Sequence, residues 1–487
     1  MSTINFLTTL PARENLDHTK DNEVFALFSF NPPAMDTSKR PPLDIAVAMD
    51  VSGSMSGGKL DNAKRSLLKL VEHLTDKDRL AVVSFDSNIH TVCAPKPMNA
   101  ANKKEAIKGI KGMYAGSMTN LSGGLLLALT FLKEQDQREG AIRRCMVFTD
   151  GQANVGISDS DQLADAVLEF RSGIGISTFG YGQDHDADLL TKLAQDGDFY
   201  YIDTPDKILS AFGAELGGLV STYAQNVKLI LDPVEGVEIA EVLNDLTVKD
   251  EEGKVTIECD DLLAEQEYHI AVRIKIDKRA KNGPRAITLV RAHTTYFDVG
   301  AKGTVDTKVT LKVKFVKPSK EDTEDNKIVM EEVAIQKINA AQAQAMGFAD
   351  AGDFAGAQQV LVASAAYAES VGTAKAGAFA AMSRGLAVEN YAGALQYGAG
   401  GRSEAMGYRK VVTRRRAGPS GMKGGVDVNA FVGNDLQREM VANFEDKDDA
   451  DPAADEALLQ HALAEEVKAK ADAESSEGLS KSRSNRW

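Results

Sequence analysis

The chain has little cysteine, fewer basic than acidic residues and no long apolar run. Its three cysteines, Cys93, Cys145 and Cys259, are scattered and odd in number. They do not read as a disulfide framework, and free thiols in a reducing cytosol account for them. No apolar stretch reaches the roughly 20 residues a bilayer-spanning helix requires. The first residues, Met1-Ser2-Thr3-Ile4-Asn5-Phe6-Leu7, show no basic region followed by an apolar one, so no secretory leader is expected. Lys and Arg number 56 against 71 Asp and Glu, a formal net charge of −15. That balance argues against binding to nucleic acid or to an anionic membrane surface. The expected location is cytoplasmic.

What the chain does have is length and a set of oxygen-bearing loops. Its 487 residues exceed what one core organises, so two or three domains are expected. The most informative stretch is Asp50-Val51-Ser52-Gly53-Ser54, at the end of the apolar run Leu43–Met49. Residues at i, i+2 and i+4 of an extended segment point the same way, so three side-chain oxygens converge. Converging hard oxygens suit Mg²⁺ or Mn²⁺. The plainer reading is a Ser/Gly-rich turn leading into the helix that begins near Lys59.

Two further segments resemble the first in kind. Gly116-Ser117-Met118-Thr119-Asn120 places the Thr119 hydroxyl in a loop entering the helical pattern Leu121–Leu132. Cys145–Thr149 is a second apolar strand, ending in Asp150 and Gly151. In a parallel α/β sheet such strand ends meet at the carboxyl edge, beside the topological switch point. Asp50, Ser52, Ser54, Thr119 and Asp150 then form one oxygen-only site.

On these residues the chain from Leu43 to about Leu219 resembles a von Willebrand factor A domain. The five positions match the metal-ion-dependent adhesion site of that family residue by residue, in order and spacing. The resemblance implies that Asp50, Ser52, Ser54 and Thr119 lie in or next to the shell of a Mg²⁺ or Mn²⁺ ion. Asp150 would act through a water. It also implies that the helix closing the domain, Pro205–Leu219, shifts when the ion gains an acidic ligand.

The pattern supports five regions. Residues 1–42 contribute a strand, Asn22–Phe30, to a sandwich. Residues 43–221 alternate strands and helices, as in a doubly wound parallel sheet. Residues 222–317 read as an antiparallel β-sandwich, with strands Asn226–Leu231, Val255–Cys259, Tyr268–Ile276, Ala286–His293 and Val305–Val316. The A domain would be inserted into that sandwich. Residues 318–416 are Ala-rich and helical in period, a small bundle with a turn near Ala351-Gly352-Asp353. Residues 417–487 are a Gly-rich linker and an acidic tail with a helix at Ala454–Ala473. The combination is similar to inter-alpha-trypsin-inhibitor-like and plant RING-finger A-domain proteins. No cysteine-rich RING is present here, so ligase activity does not carry over.

Several side chains near the expected site have competing readings. Asp86, after the strand Leu80–Phe85, would bias the charge at the edge. Asn120 neighbours Thr119. In Asp184-His185-Asp186, an aspartate either contacts a ligand or caps the helix Ala187–Leu193, the commoner use of Asp before a helix. His185 is expected on the rim. Arg409, Lys410 and Arg414–Arg416 form a basic cluster, either a solvated helix end or a holder of phosphate, an acidic partner or the acidic tail.

Chemistry points to binding rather than turnover. The hydroxyls of Ser52, Ser54 and Thr119 are consumed as ligands, and no histidine lies in the three motifs. A phosphoryl-transfer aspartate would want a second acid two residues on, where Ser52 stands. With only two aspartates nearby, a divalent ion keeps net positive charge and draws in an Asp or Glu of another protein. The expectation is a non-enzymatic, metal-dependent protein-binding module. Its partner would be an AAA+ ATPase or similar machine, or the chain would be a structural component that self-assembles. A metal-dependent hydrolase is the remaining alternative. Asp446, Asp448 or Asp449 of the tail would occupy the ion in cis.

Overall fold

The computed structural model describes residues 5–151, 153–182, 185–194, 197–202, 204, 207–278, 283–316, 324–414 and 434–445. Of the linker and tail expected at 417–487, only 434–445 is described, and it forms a helix, Asp435–Glu445, with Val441 and Phe444 buried. The rest of that region, Asp184 and Pro205 lie outside these residues. The chain divides into two compact units, one of Met1–Pro41 with Gly217–Arg438 and one of Pro42–Leu216 with Glu439–Trp487.

The chain opens with β1 (Leu7–Pro11), β2 (Asn15–Asp17) and β3 (Asn22–Phe30). It then builds the second unit from β4 (Leu43–Asp50), α1 (Gly58–His73), β5 (Arg79–Phe85), β6 (Ile89–Pro97), α2 (Ala100–Lys111) and α3 (Leu121–Glu134). There follow β7 (Ile142–Thr149), α4 (Ser160–Phe170), β8 (Gly175–Tyr181), α5 (Ala187–Leu193), β9 (Phe199–Ile202) and α6 (Lys207–Val220). The six strands order as β6-β5-β4-β7-β8-β9. All eight residues of β4 are buried, and five of them in succession, Ile45–Met49, are apolar because helices cover both faces of a parallel sheet. Asp44, the one charge before that run, is paired with Arg138. α1 turns Leu60, Ala63, Leu67, Leu70 and Val71 inward. Phe148, Phe179 and Tyr200 from three adjacent strands stack at 4.2 and 4.7 Å, with Phe212 of α6 4.4 Å from Phe148.

The sheet departs from the expected all-parallel form at one edge. β6 runs antiparallel to β5. Its residues are mostly exposed and include His90, Thr91 and Lys96, so it lacks the apolar signal of a buried strand. An antiparallel edge strand on a parallel sheet is common in large α/β folds.

A buried charged network ties α6 to that sheet. The Glu215 carboxylate accepts hydrogen bonds from Ser177 Oγ of β8 at 2.6 Å and Tyr200 Oη of β9 at 2.9 Å. Arg144 Nε of β7 stands 3.3 Å from it, and both charged side chains are buried.

After α6 the chain forms β10 (Thr222–Pro233), β11 (Val237–Val242), β12 (Thr247–Glu251), β13 (Lys254–Glu258), β14 (Leu262–Leu263), β15 (Tyr268–Ile276), β16 (Gly283–Asp298) and β17 (Gly303–Val316). β3 pairs with β15 from Asn22↔Ile276 to Phe30↔Tyr268, in a four-stranded sheet ordered β1-β3-β15-β11. A seven-stranded sheet runs β12-β13-β10-β16-β17-β2, with β14 paired to β10. Both sheets feed one hydrophobic cluster: Phe28, Phe30 and Ile270 from the first, Leu229, Val290 and Phe315 from the second. β1, β2, β11, β12 and β14 were not foreseen. β12, Thr-Val-Lys-Asp-Glu, is exposed at every residue; cross-strand pairing with β13, and no alternation of buried side chains, makes it a strand.

The helices are α7 (Lys327–Asp350), α8 (Phe354–Val371), α9 (Ala374–Glu389), the short α10 (Ala394–Gln396), α11 (Arg402–Arg414) and α12 (Asp435–Glu445). Ile335 and Ile338 of α7, Ala365 of α8 and Phe379 of α9 share a small core. Gly352 takes φ +83° between α7 and α8, a region that favours glycine, and Asp353 caps α8 by accepting from Gly356 N at 2.8 Å. Of the basic cluster, Arg409 pairs with Asp245 at 2.5 Å.

Candidate functional site

The site is assembled where β4 and β7 end side by side. Met49 is in register with Phe148, so Asp50 is level with Thr149 and Asp150 follows. Asp50 is fully buried. Its Oδ1 accepts from Ser52 N at 2.8 Å and its Oδ2 accepts from Thr149 Oγ1 at 2.6 Å. Ser52 Oγ lies 3.1 Å from Ser54 Oγ, which donates to Asp150 Oδ1 at 2.6 Å. Asp150 Oδ2 meets Lys59 Nζ at 2.5 Å. Asp50, Ser52, Thr119 and Asp150 are buried, whereas Ser54 is exposed and marks the open side.

The loop carrying Thr119 is fastened to the first loop through its backbone. Gly116 N donates to Val51 O at 2.5 Å and Gly53 N donates to Ser117 O at 2.9 Å. A Cβ on Gly116 would overlap the Asp86 side chain, so any larger residue there must displace it. Thr119 N donates to Asn154 Oδ1 at 2.7 Å, and Asn154 N donates back to Thr119 O at 3.1 Å. A Cβ placed on Gly151 would stand 3.9 Å from both Ser54 Oγ and Thr119 Oγ1. Thr119 therefore reaches the same small volume as the serines.

Electrostatics set the demand for a cation. Burial pushes the Asp50 carboxyl up to about 6, although hydrogen bonds from Thr149 and Ser52 pull the other way and the Asp150 charge adds to the rise. A buried carboxylate met by a hydroxyl and a backbone N–H gains from a hard cation beside it. The donor set is oxygen throughout, as Mg²⁺ or Mn²⁺ prefers. Among the described residues no group of three or more His, Cys, Asp or Glu side chains is placed to hold a metal ion, so an ion bound here would draw on the hydroxyls as well as the two carboxylates. The five residues fit a hard divalent ion.

The rim residues have other duties. Asp86 accepts from Asn88 N at 2.7 Å in a turn, and its carbonyl accepts from Asn120 N at 2.8 Å. Asn120 caps α3, accepting from Gly123 N at 3.0 Å. Asp186 caps α5, accepting from Leu189 N at 3.0 Å, and also accepts from Ser160 Oγ. His185 does not stand on the rim. It is buried, with Nδ1 2.9 Å from Gly182 O and its ring against Phe199 and Tyr201; the aromatic ends of the neighbouring strand draw it inward. Three supporting residues escaped the sequence reading: Thr149, Asn154 and Lys59. Only Thr149 left a signal, a hydroxyl beside the motif aspartate at the end of an apolar strand.

A family model of the von Willebrand factor type A domain matches residues 44–212. An uncharacterized protein of Synechocystis sp., sll0103, is 25% identical over 257 residues, covering 50% of this chain and 60% of that one. Human inter-alpha-trypsin inhibitor heavy chain H3 is 30% identical over 166 residues, covering 31% of this chain and 18% of the other. The chain thus spans less than two thirds of either relative. A solved von Willebrand factor type A protein from Catenulispora acidiphila superposes with TM-score 0.59 at 16% identity, covering 76% of this chain and 88% of that one; it shares the fold. Among the described residues no helix is long and apolar enough to cross a membrane.

Proposed function

We propose that this chain, which carries a von Willebrand factor type A domain, is a metal-dependent protein-binding module. Domains of this class mediate protein–protein interaction. Asp50, Ser52, Ser54 and Thr119 would hold a Mg²⁺ or Mn²⁺ ion, with Asp150 steering a bound water through the oxygen that Ser54 now occupies. The ion would supply a positive charge short of anionic ligands, open on the Ser54 side to an Asp or Glu of a partner. The protein's own part is to keep the oxygens converged. β4 and β7 hold the two carboxylates in register, Thr149 orients Asp50, and Asn154 fixes the Thr119 backbone.

The observation that carries the reading is the buried Asp50 carboxylate, raised by desolvation and surrounded by hydroxyls. The other unit would comprise a β-sandwich of the four- and seven-stranded sheets together with the α7–α9 helices. Calorimetric titration of Mg²⁺ into the intact chain should show binding that Asp50→Ala abolishes. Unchanged affinity in the variant overturns the assignment. Pull-downs from extract with and without chelator would then show which proteins bind only through the ion, and whether an ATPase machine or a second copy is among them.

A further inference from the structure

Lys59 is out of place by local rules. It is the second residue of α1, where the positive end of the helix dipole disfavours a cation. Its ammonium nevertheless sits 2.5 Å from Asp150 Oδ2 and 5.4 Å from the centre of the Tyr181 ring. The Asp150 side chain is fully buried, while Lys59 remains one-third exposed at 33%. A residue that breaks a local preference and is held by two partners at a site has a role beyond the helix. Gly57, with φ +80°, makes the turn just before α1, the helix whose second residue is Lys59.

We propose that Lys59 is the resident cation of the site and the residue that limits its affinity for metal. This rests on the metal reading above and specifies how the site is regulated. Without metal, the ammonium balances the negative charge of Asp150 and so lessens repulsion between Asp150 and the buried Asp50. With metal, the same positive charge opposes the incoming ion. Because Lys59 also neutralises one of the two carboxylates, the ion is left more electropositive and more dependent on an outside carboxylate. The site is thereby tuned to hold its ion weakly alone and firmly once an acidic ligand joins it. Removing Lys59 has the sign opposite to removing a ligand: metal affinity rises.

The test is Mg²⁺ and Mn²⁺ titration of the intact chain by calorimetry, alongside thermal melting in chelator, for the native chain, Lys59→Met and Lys59→Arg. Lys59→Met should bind on the order of tenfold more tightly, the size expected for one partly screened charge near a divalent ion. Its metal-free form should melt at a lower temperature. Lys59→Arg keeps the charge and should retain native affinity, which separates charge from mere loss of packing. Equal or weaker metal binding by Lys59→Met, with binding intact in the native chain, overturns the Lys59 proposal alone. No binding by either the native chain or Lys59→Met overturns the metal reading and this proposal with it.

Discussion

Thr149 Oγ1 donates a 2.6 Å hydrogen bond to Asp50 Oδ2 across the β4–β7 boundary, so the hydroxyl of one strand aims the carboxylate of the next. A hydrogen bond to a charged group contributes about 1.5–3 kcal/mol. Thr149→Val keeps the shape and removes the donor. Mg²⁺ affinity in the variant should drop by about tenfold or more, on the same energy scale. Titration curves that superimpose on those of the native chain would show that Asp50 needs no such orientation.

Asp50→Ala should lose metal binding without losing the fold. At pH 7 the native Asp50 is ionised although burial has raised its carboxyl to about 6, and it lies close to the charge of Asp150. Removing it relieves repulsion and desolvation in the metal-free protein. Scanning calorimetry in chelator should give an unchanged or higher melting temperature. A fall of several degrees would mean that Asp50 is chiefly a structural hydrogen-bond acceptor.

Glu215 should be among the most sensitive positions in the unit that carries the site. Its carboxylate serves Ser177 and Tyr200 and pairs with buried Arg144. Truncation leaves the Arg144 guanidinium buried without that partner, a change that typically costs 3–5 kcal/mol. Denaturant unfolding of Glu215→Ala should lose stability on that scale, with Glu215→Gln falling between. The same network bears on movement of α6. A ligand-driven shift of this helix must break contacts to three strands, so Glu215→Gln should also alter acidic-ligand affinity if α6 and the ion site are coupled.

His73 makes stability sensitive to acid. Its ring stacks on Phe444 of α12, 5.4 Å between centroids, and burial with the charges of Lys69 and Lys103 lowers its pKa from 6.5 to about 4. The unfolded chain therefore binds a proton more readily than the native one between these values. The stabilisation is fully present above about 6.5 and is lost as pH falls towards 4, on the order of 2 kcal/mol. His73→Phe keeps the stack and removes the titration. Its stability between pH 7 and 5 should fall less than that of the native chain, and parallel pH profiles would refute the assignment.

The docking of α12 itself is testable through Phe444, which is fully buried beside Phe212. The α12 backbone at Met440 and Val441 comes so close to Gly213 that a Cβ there would sit 2.8 Å from Val441 Cα. Phe444→Ala should destabilise by about 3–5 kcal/mol if the helix is part of the domain core. A change under about 1 kcal/mol, the range of ordinary surface substitutions, would make α12 a loosely held segment.

Asp50, Ser52, Ser54 and Asp150 could be picked out before any coordinates because strand geometry is local. A buried parallel strand cannot hide its run of apolar residues, which marks Asp50 and Asp150 at the strand ends; Ser52 and Ser54 are brought in not by the expected extended run with a period of two but by a 3-10 turn at Gly53–Met55. An apolar run likewise made Asn22–Phe30 legible as a strand. Lys59 was not, since nothing in Gly57-Gly58-Lys59-Leu60 separates an ordinary helix residue from one bonded to an aspartate 91 positions away. Exposed strands such as β6 and β12 were equally silent, because backbone pairing leaves no mark on residue type.

By itself the sequence determined which segments are buried strands, where they end, and which oxygens stand at those ends, for these follow from hydrophobicity and chain stereochemistry within a few residues. Only the tertiary structure decided how the ends are wired. It set Thr149 on Asp50, Asn154 on Thr119 and Lys59 on Asp150, and it turned His185 from the rim into an aromatic pocket. Those outcomes depend on register and packing between residues distant along the chain. Their energies arise only when the fold has already excluded water and brought the partners within hydrogen-bonding range.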